Sequence, residues 1–96
     1  MSDDSADRGP VVEKPGEGVR AVDRALDILL AFRAGDRQLS ASELLRRIDL
    51  SRPTLYRLLR TLELRGFIVA SGEPQRFQLG PSVAHLAHVW TSGLDL

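Results

Sequence analysis

No cysteine occurs in the 96 residues, which excludes disulfide staples, thiolate metal sites and a cysteine nucleophile together. Beyond Lys14 there is no lysine, so arginine supplies every other cation. No apolar run approaches the roughly 20 residues that cross a bilayer, and no membrane association is expected. The first ten residues, MSDDSADRGP, are acidic and lack the apolar stretch of a signal peptide, so a cytoplasmic protein is expected. Nucleophile elbow, glycine-rich phosphate loop and metal-ligand cluster are all missing, and a chain this small has little room for a concave pocket. The expectation is therefore no enzyme, no catalytic residue, no cofactor and no metal.

What is present is ordinary in amount: 43% hydrophobic and 27% charged residues, in a length that allows one small domain with a compact core. The formal net charge is zero, which is unusual for a nucleic-acid binder, but the charges are unevenly spread. Asp3, Asp4, Asp7, Glu13 and Glu17 face only Arg8 and Lys14 in residues 1–17, a net of −3. From residue 18 onward eleven arginines face eight acids, a net of +3. Arginine is the cation best shaped for two-pronged contacts to phosphate and guanine.

Residues 1–18 hold prolines and glycines without hydrophobic periodicity, and a disordered acidic arm is expected there. The segment VRAVDRALDILLAF then places Val22, Leu26 and Leu29 at helical spacing, with Ala25 and Phe32 beside them. Ala34-Gly35-Asp36 is expected to stop that helix. Ser40-Ala41-Ser42-Glu43 reads as a capping box opening a short helix that turns Leu44, Leu45 and Ile48 inward. Asp49 falls where the chain must turn, and aspartate tolerates a left-handed backbone. Ser51 then caps a third helix, with Pro53 in its first turn and Leu55, Leu58, Leu59 and Leu62 in one narrow arc. After Gly66 the period changes: Phe67-Ile68-Val69 and Arg76-Phe77-Gln78-Leu79 flank a turn and predict a β-hairpin. Gly80-Pro81 ends it, and Val83, Leu86, Ala87 and Trp90 predict a last helix.

The expected fold is mainly α with a small β-hairpin, a winged helix-turn-helix over 19–80 followed by a linker and dimerisation helix over 81–96. Opposite the leucines of the third helix lie Pro53, Arg57, Arg60 and Leu64, flanked by Tyr56 and Thr61, with Arg52 and Thr54 at its positive N-terminal end. Such an end usually enters the major groove, where arginine reads guanine O6 and N7 and hydroxyls reach phosphates. The candidate DNA-binding residues are Ser51, Arg52, Pro53, Thr54, Tyr56, Arg57, Arg60 and Arg76, with Arg76 and the Gly72 turn seating the wing on the backbone or minor groove.

Three stretches, VRAVDRALDILLAF, LSASELLRRIDLSRPTLYRLLRTLELRGFI and RFQLGPSVAHLA, resemble the N-terminal domain of the isocitrate lyase regulator (IclR) family of bacterial transcription regulators. The likeness covers about residues 19–96, and YRLLRTLELRGF followed by RFQLG is its most specific part. The resemblance maps the family's serine/threonine-rich start of the recognition helix onto Ser51, Pro53 and Thr54, and its aromatic-or-His plus Arg pair onto Tyr56 and Arg57. Asp49 departs from it, standing where the family usually has glycine. The resemblance implies a repressor or activator that binds a pseudo-palindromic double-stranded operator as a homodimer, joined through its first and last helices. It also implies that a small-molecule effector would bind only a C-terminal domain that this sequence lacks.

Two other readings compete. His85 and His88, three apart on the last helix, have the spacing of a two-ligand metal site, but without further ligands they read as a solvated helix face. A winged helix can also serve as a protein–protein interaction module without DNA binding, its arginine face meeting an acidic partner. DNA binding separates from that alternative by its steep salt dependence.

Overall fold

The computed structural model describes residues 19–94, so the acidic arm expected over 1–18 lies outside them, as do the last two residues of the expected linker helix. In chain order the elements are α1 (Arg20–Leu30), β1 (Leu39–Ser40), α2 (Ala41–Arg47), α3 (Arg52–Leu64), β2 (Ile68–Ser71), β3 (Arg76–Leu79) and α4 (Pro81–Gly93). The expected order of parts is observed, with one addition. The two strands of the hairpin are joined by β1 in a three-stranded antiparallel sheet of order β1-β3-β2. Only Leu39 and Ser40 form that strand, pairing with Phe77 and Arg76, and two residues are too few to show a period in the sequence.

The core lies where three helices meet the sheet. Ile28 from α1, Leu44 from α2, Leu55 and Leu59 from α3, and Ile68 and Phe77 from the hairpin are inaccessible or nearly so. Leu58, Leu45 and Ile48 pack partly buried around them, as the expected leucine stripe requires. On α1 the inward face keeps Ala25, Leu29 and Phe32 of the expected set but centres on Ile28. Ile28 is the buried residue, whereas Val22 and Leu26 remain about half exposed. The helix is apolar on two adjacent faces: one packs into the core, and the other is largely uncovered, with Val22 at the edge of a small cavity against Leu58 and Leu62 of α3.

Helix ends follow local chemistry. Helix α1 stops at Leu30, earlier than the glycine suggests, and the Ala31 amide donates back to the Ile28 and Leu29 carbonyls. Gly35, at φ 96°, instead forms the turn after it. The capping box forms as expected: the Glu43 amide donates to Ser40 Oγ at 3.1 Å and the Ser40 amide to Glu43 Oε1 at 2.8 Å. Helix α3 ends in a Schellman motif, with Gly66 at φ 80°, the Phe67 amide donating to Leu62 O and the Gly66 amide to Glu63 O.

That motif also roots α4. The Gly80 amide donates to Phe67 O at 2.8 Å, the Ser82 amide to Gly66 O at 2.9 Å, and Ser82 Oγ to Arg65 O at 2.7 Å. A side chain at Gly80 would strike the Gly66 carbonyl. Beyond this root no residue of α4 is buried.

Candidate nucleic-acid interface

The loop into α3 leaves helical geometry at Ile48 (φ −133°, ψ 155°) and re-enters it after Ser51, whose backbone is extended. Ser51 Oγ accepts from the Thr54 amide at 3.3 Å and donates to Thr54 Oγ1 at 3.0 Å. Serine is thus a true cap here, satisfying an amide of the first turn. Thr54 is half-buried, while Ser51, Arg52 and Pro53 are exposed at the positive end of the helix dipole. The Arg52 guanidinium donates to Ser42 Oγ at 3.3 Å, tying the start of α3 to the first turn of α2.

Because Leu55, Leu59 and Leu62 point inward, Pro53, Arg57, Arg60 and Leu64 face out; Leu64 is 77% exposed. Among the described residues neither the Arg57 nor the Arg60 guanidinium has a hydrogen-bond or ion-pair partner. Both line an open groove of about 640 Å³ between α3 and the wing turn, together with Tyr56, Glu63, Leu64 and Gln75. Tyr56 does more than its expected role. Its ring stands edge-on to Phe77 of β3, centroids 6.2 Å apart, so it braces α3 against the wing while its rim stays exposed.

Arg76 sits at the base of the wing turn, opposite Ser40 on β1 and Ser71 on β2. Its guanidinium lies 3.6 Å from Glu43 Oε1, beside the start of α2. The turn from Gly72 to Gln75 adds no cation and carries Glu73. The Ser40 backbone N–H, with smaller help from Arg76 and Arg46, holds the Glu43 carboxyl below its ordinary range.

Arg47, one of the arginines of the basic body, is set apart by its contacts. It donates to Asp36 Oδ2 at 2.6 Å and to Ala31 O at 2.9 Å, locking α2 to the end of α1. The hydrogen bond from Arg47, then that from the Arg33 amide, holds Asp36 below the usual aspartate value, and Asp36 in turn raises Arg47. No short-range pattern signals this pair, because its members are eleven residues apart on different elements.

Apolar side chains are left uncovered on α1 and α4: Leu26 and Leu30 on the first, Leu86, Val89 and Trp90 on the second, while half-exposed Val22 flanks a cavity of about 220 Å³ shared with Leu58, Thr61 and Leu62 of α3. His88 Nε2 lies 3.4 Å from Ser92 Oγ on the exposed face of α4, and His85 is exposed nearby. Among the described residues no helix is long and apolar enough to cross a membrane.

The family model for the IclR helix-turn-helix domain matches residues 21–72. The chain is 31% identical over 78 residues to the HTH-type transcriptional regulator XynR of Escherichia coli, covering 81% of this chain and 31% of XynR. It is 39% identical over 67 residues to the HTH-type transcriptional regulator BhcR of Paracoccus denitrificans, covering 68% of this chain and 23% of BhcR. Its fold is similar to that of an IclR family transcriptional regulator from Brucella abortus, with a TM-score of 0.72 and 26% identity over 92% of this chain and 33% of that one. The chain thus spans about a third or less of the length of these relatives.

Proposed function

The chain belongs to the IclR family of helix-turn-helix transcription regulators, and from that premise we propose that it binds double-stranded DNA through α3 as one half of a homodimer on a pseudo-palindromic operator. The observation that carries this reading is the outward, unpartnered pair Arg57 and Arg60 on a helix anchored by its leucines and braced by a wing. In this reading Arg52, Thr54, Tyr56, Arg57 and Arg60 meet the major groove and its phosphates. Ser51 and Pro53 shape the helix start, and Arg76 meets the backbone from the base of the wing. That position fits a phosphate contact better than insertion into a minor groove, since the turn beyond it is uncharged or acidic.

The homodimer is supported by the apolar faces of α1 and α4. Trp90 is 68% exposed and Leu26 49%, a cost in water that a second copy would remove. Two recognition helices would then stand roughly 34 Å apart, one turn of duplex. In this reading residues 19–80 are the DNA-binding unit and a linker and dimerisation helix follows from 81.

The test is fluorescence anisotropy with labelled genomic fragments at several salt concentrations. DNA binding by α3 gives a log–log slope near −0.9 per phosphate neutralised, so three or four arginine contacts from each protomer give about −5 to −7 for the homodimer. Absence of binding at low salt would leave the protein–protein alternative standing.

A further inference from the structure

We propose that Glu43 is a positioning residue for DNA binding: it holds the Arg76 guanidinium beside the first turn of α2, at a fixed spacing from Arg52. The proposal deepens the DNA-binding reading and rests on it.

Glu43 is itself fixed. Its Oε1 accepts from the Ser40 amide at 2.8 Å, and its own amide donates to Ser40 Oγ. Ser40 is also the residue that pairs with Arg76 across β1 and β3. Ser40, Glu43 and Arg76 therefore close a ring: the strand pairing sets the Arg76 backbone, and the same carboxylate oxygen that caps α2 lies 3.6 Å from Arg76 Nη1. One residue earlier, Ser42 Oγ accepts from Arg52 at the start of α3. Adjacent residues of a single helical turn thus gather an arginine from the recognition helix and an arginine from the wing.

The consequence is geometric. A free arginine loses rotamer freedom when it meets a phosphate, whereas one already held loses less. Arg57 and Arg60, which have no such partner among the described residues, are free to search for bases. Arg52 and Arg76 each have a partner in the first turn of α2, at 3.3 and 3.6 Å, as suits backbone contacts that set register.

The sign of the effect makes the proposal testable. Coulomb's law alone says that removing a carboxylate near a polyanion strengthens binding. The positioning role says the opposite. Glu43→Gln keeps the acceptor that the capping box needs and loses the charge that holds Arg76. Anisotropy titrations of the full chain, Glu43→Gln, Arg76→Gln and the double variant should show Glu43→Gln binding DNA about two- to fivefold more weakly, with melting preserved. The double variant should be no weaker than Arg76→Gln alone, as coupled sites require. Binding that tightens or stays equal in Glu43→Gln, or losses that multiply in the double variant, would overturn the role. A wild-type chain that binds no DNA would instead remove the reading beneath it. A second measurement needs no variant: in the DNA-free protein the ¹⁵N heteronuclear NOE at Arg76 Nε should exceed those at Arg57 and Arg60. Equal values would refute the holding contact directly.

Discussion

Replacing Leu55 and Leu64 by alanine, one at a time, tests the rotation of α3 with a contrast internal to a single helix. The two changes delete the same atoms and carry the same small change in helix propensity, so only their surroundings differ. Leu55 is 0% exposed in the middle of the core, and Leu64 is 77% exposed. Removing about three buried carbons at roughly 0.8 kcal/mol each gives about 2.4 kcal/mol for Leu55→Ala. A cavity that closes only partly raises this to about 3–4 kcal/mol. For a domain of this size each kcal/mol moves Tm by about 4–8 °C, so a fall of about 12–30 °C is expected, with a matching fall in the urea midpoint. Leu64→Ala should stay within about 0.5 kcal/mol of wild type. Leu58→Ala, half-buried against the same core, should fall between them. Circular dichroism melts at one protein concentration suffice. Equal destabilisation by Leu55→Ala and Leu64→Ala would mean that α3 is turned differently, and the outward arginine pair would lose its basis.

Three further outcomes are expected. Gly80→Ala sets a methyl group against the Gly66 carbonyl, which is already held by the Ser82 amide, and should cost about 1–3 kcal/mol in urea unfolding; a neutral change would mean that α4 is not rooted there. Asp36→Asn removes a carboxylate whose pKa is lowered mainly by Arg47, so wild type should be the more stable above about pH 5. That advantage should vanish as the pH falls below about 4, through the lowered folded-state value; urea midpoints that keep a constant gap from pH 7 to pH 3 would contradict the pairing. On the proposed homodimer, wild type should sediment as a dimer and Leu26→Arg, which charges the uncovered face of α1 while leaving the core intact, as a monomer with melting little changed; a monomeric wild type would contradict the dimer, and a variant that stays dimeric would remove α1 from the interface.

How much could be read in advance depended on the range of each interaction. The capping box, the Ser51 cap and the glycine stop at Gly66 rest on contacts within a few residues, and each was legible in the chain. The leucine stripe of α3 was legible too, because its opposite face is strongly polar and the period is unambiguous. Helix α1 was harder. With apolar residues on two adjacent faces, its periodicity fits either, and only the packing of Ile28 against the core selects one. Strand β1 exists because β3 offers it an edge, which two residues cannot announce. Likewise Arg47 and Arg76 look like Arg57 and Arg60 in one dimension. Asp36 and Glu43, brought close by the fold, give them different work.

The central claim is that the outward guanidinium groups of α3 hold DNA. The direct measurement is the anisotropy affinity and salt slope of Arg57→Ala and Arg60→Ala on DNA selected by the wild-type chain, each variant first shown to melt normally. Each should lose about 1–3 kcal/mol per half-site if it reads a base, or bind more weakly on all sequences with a slope shallower by about one per protomer, about two for the homodimer, if it meets a phosphate. Folded variants that both match wild type in affinity and slope would contradict the claim.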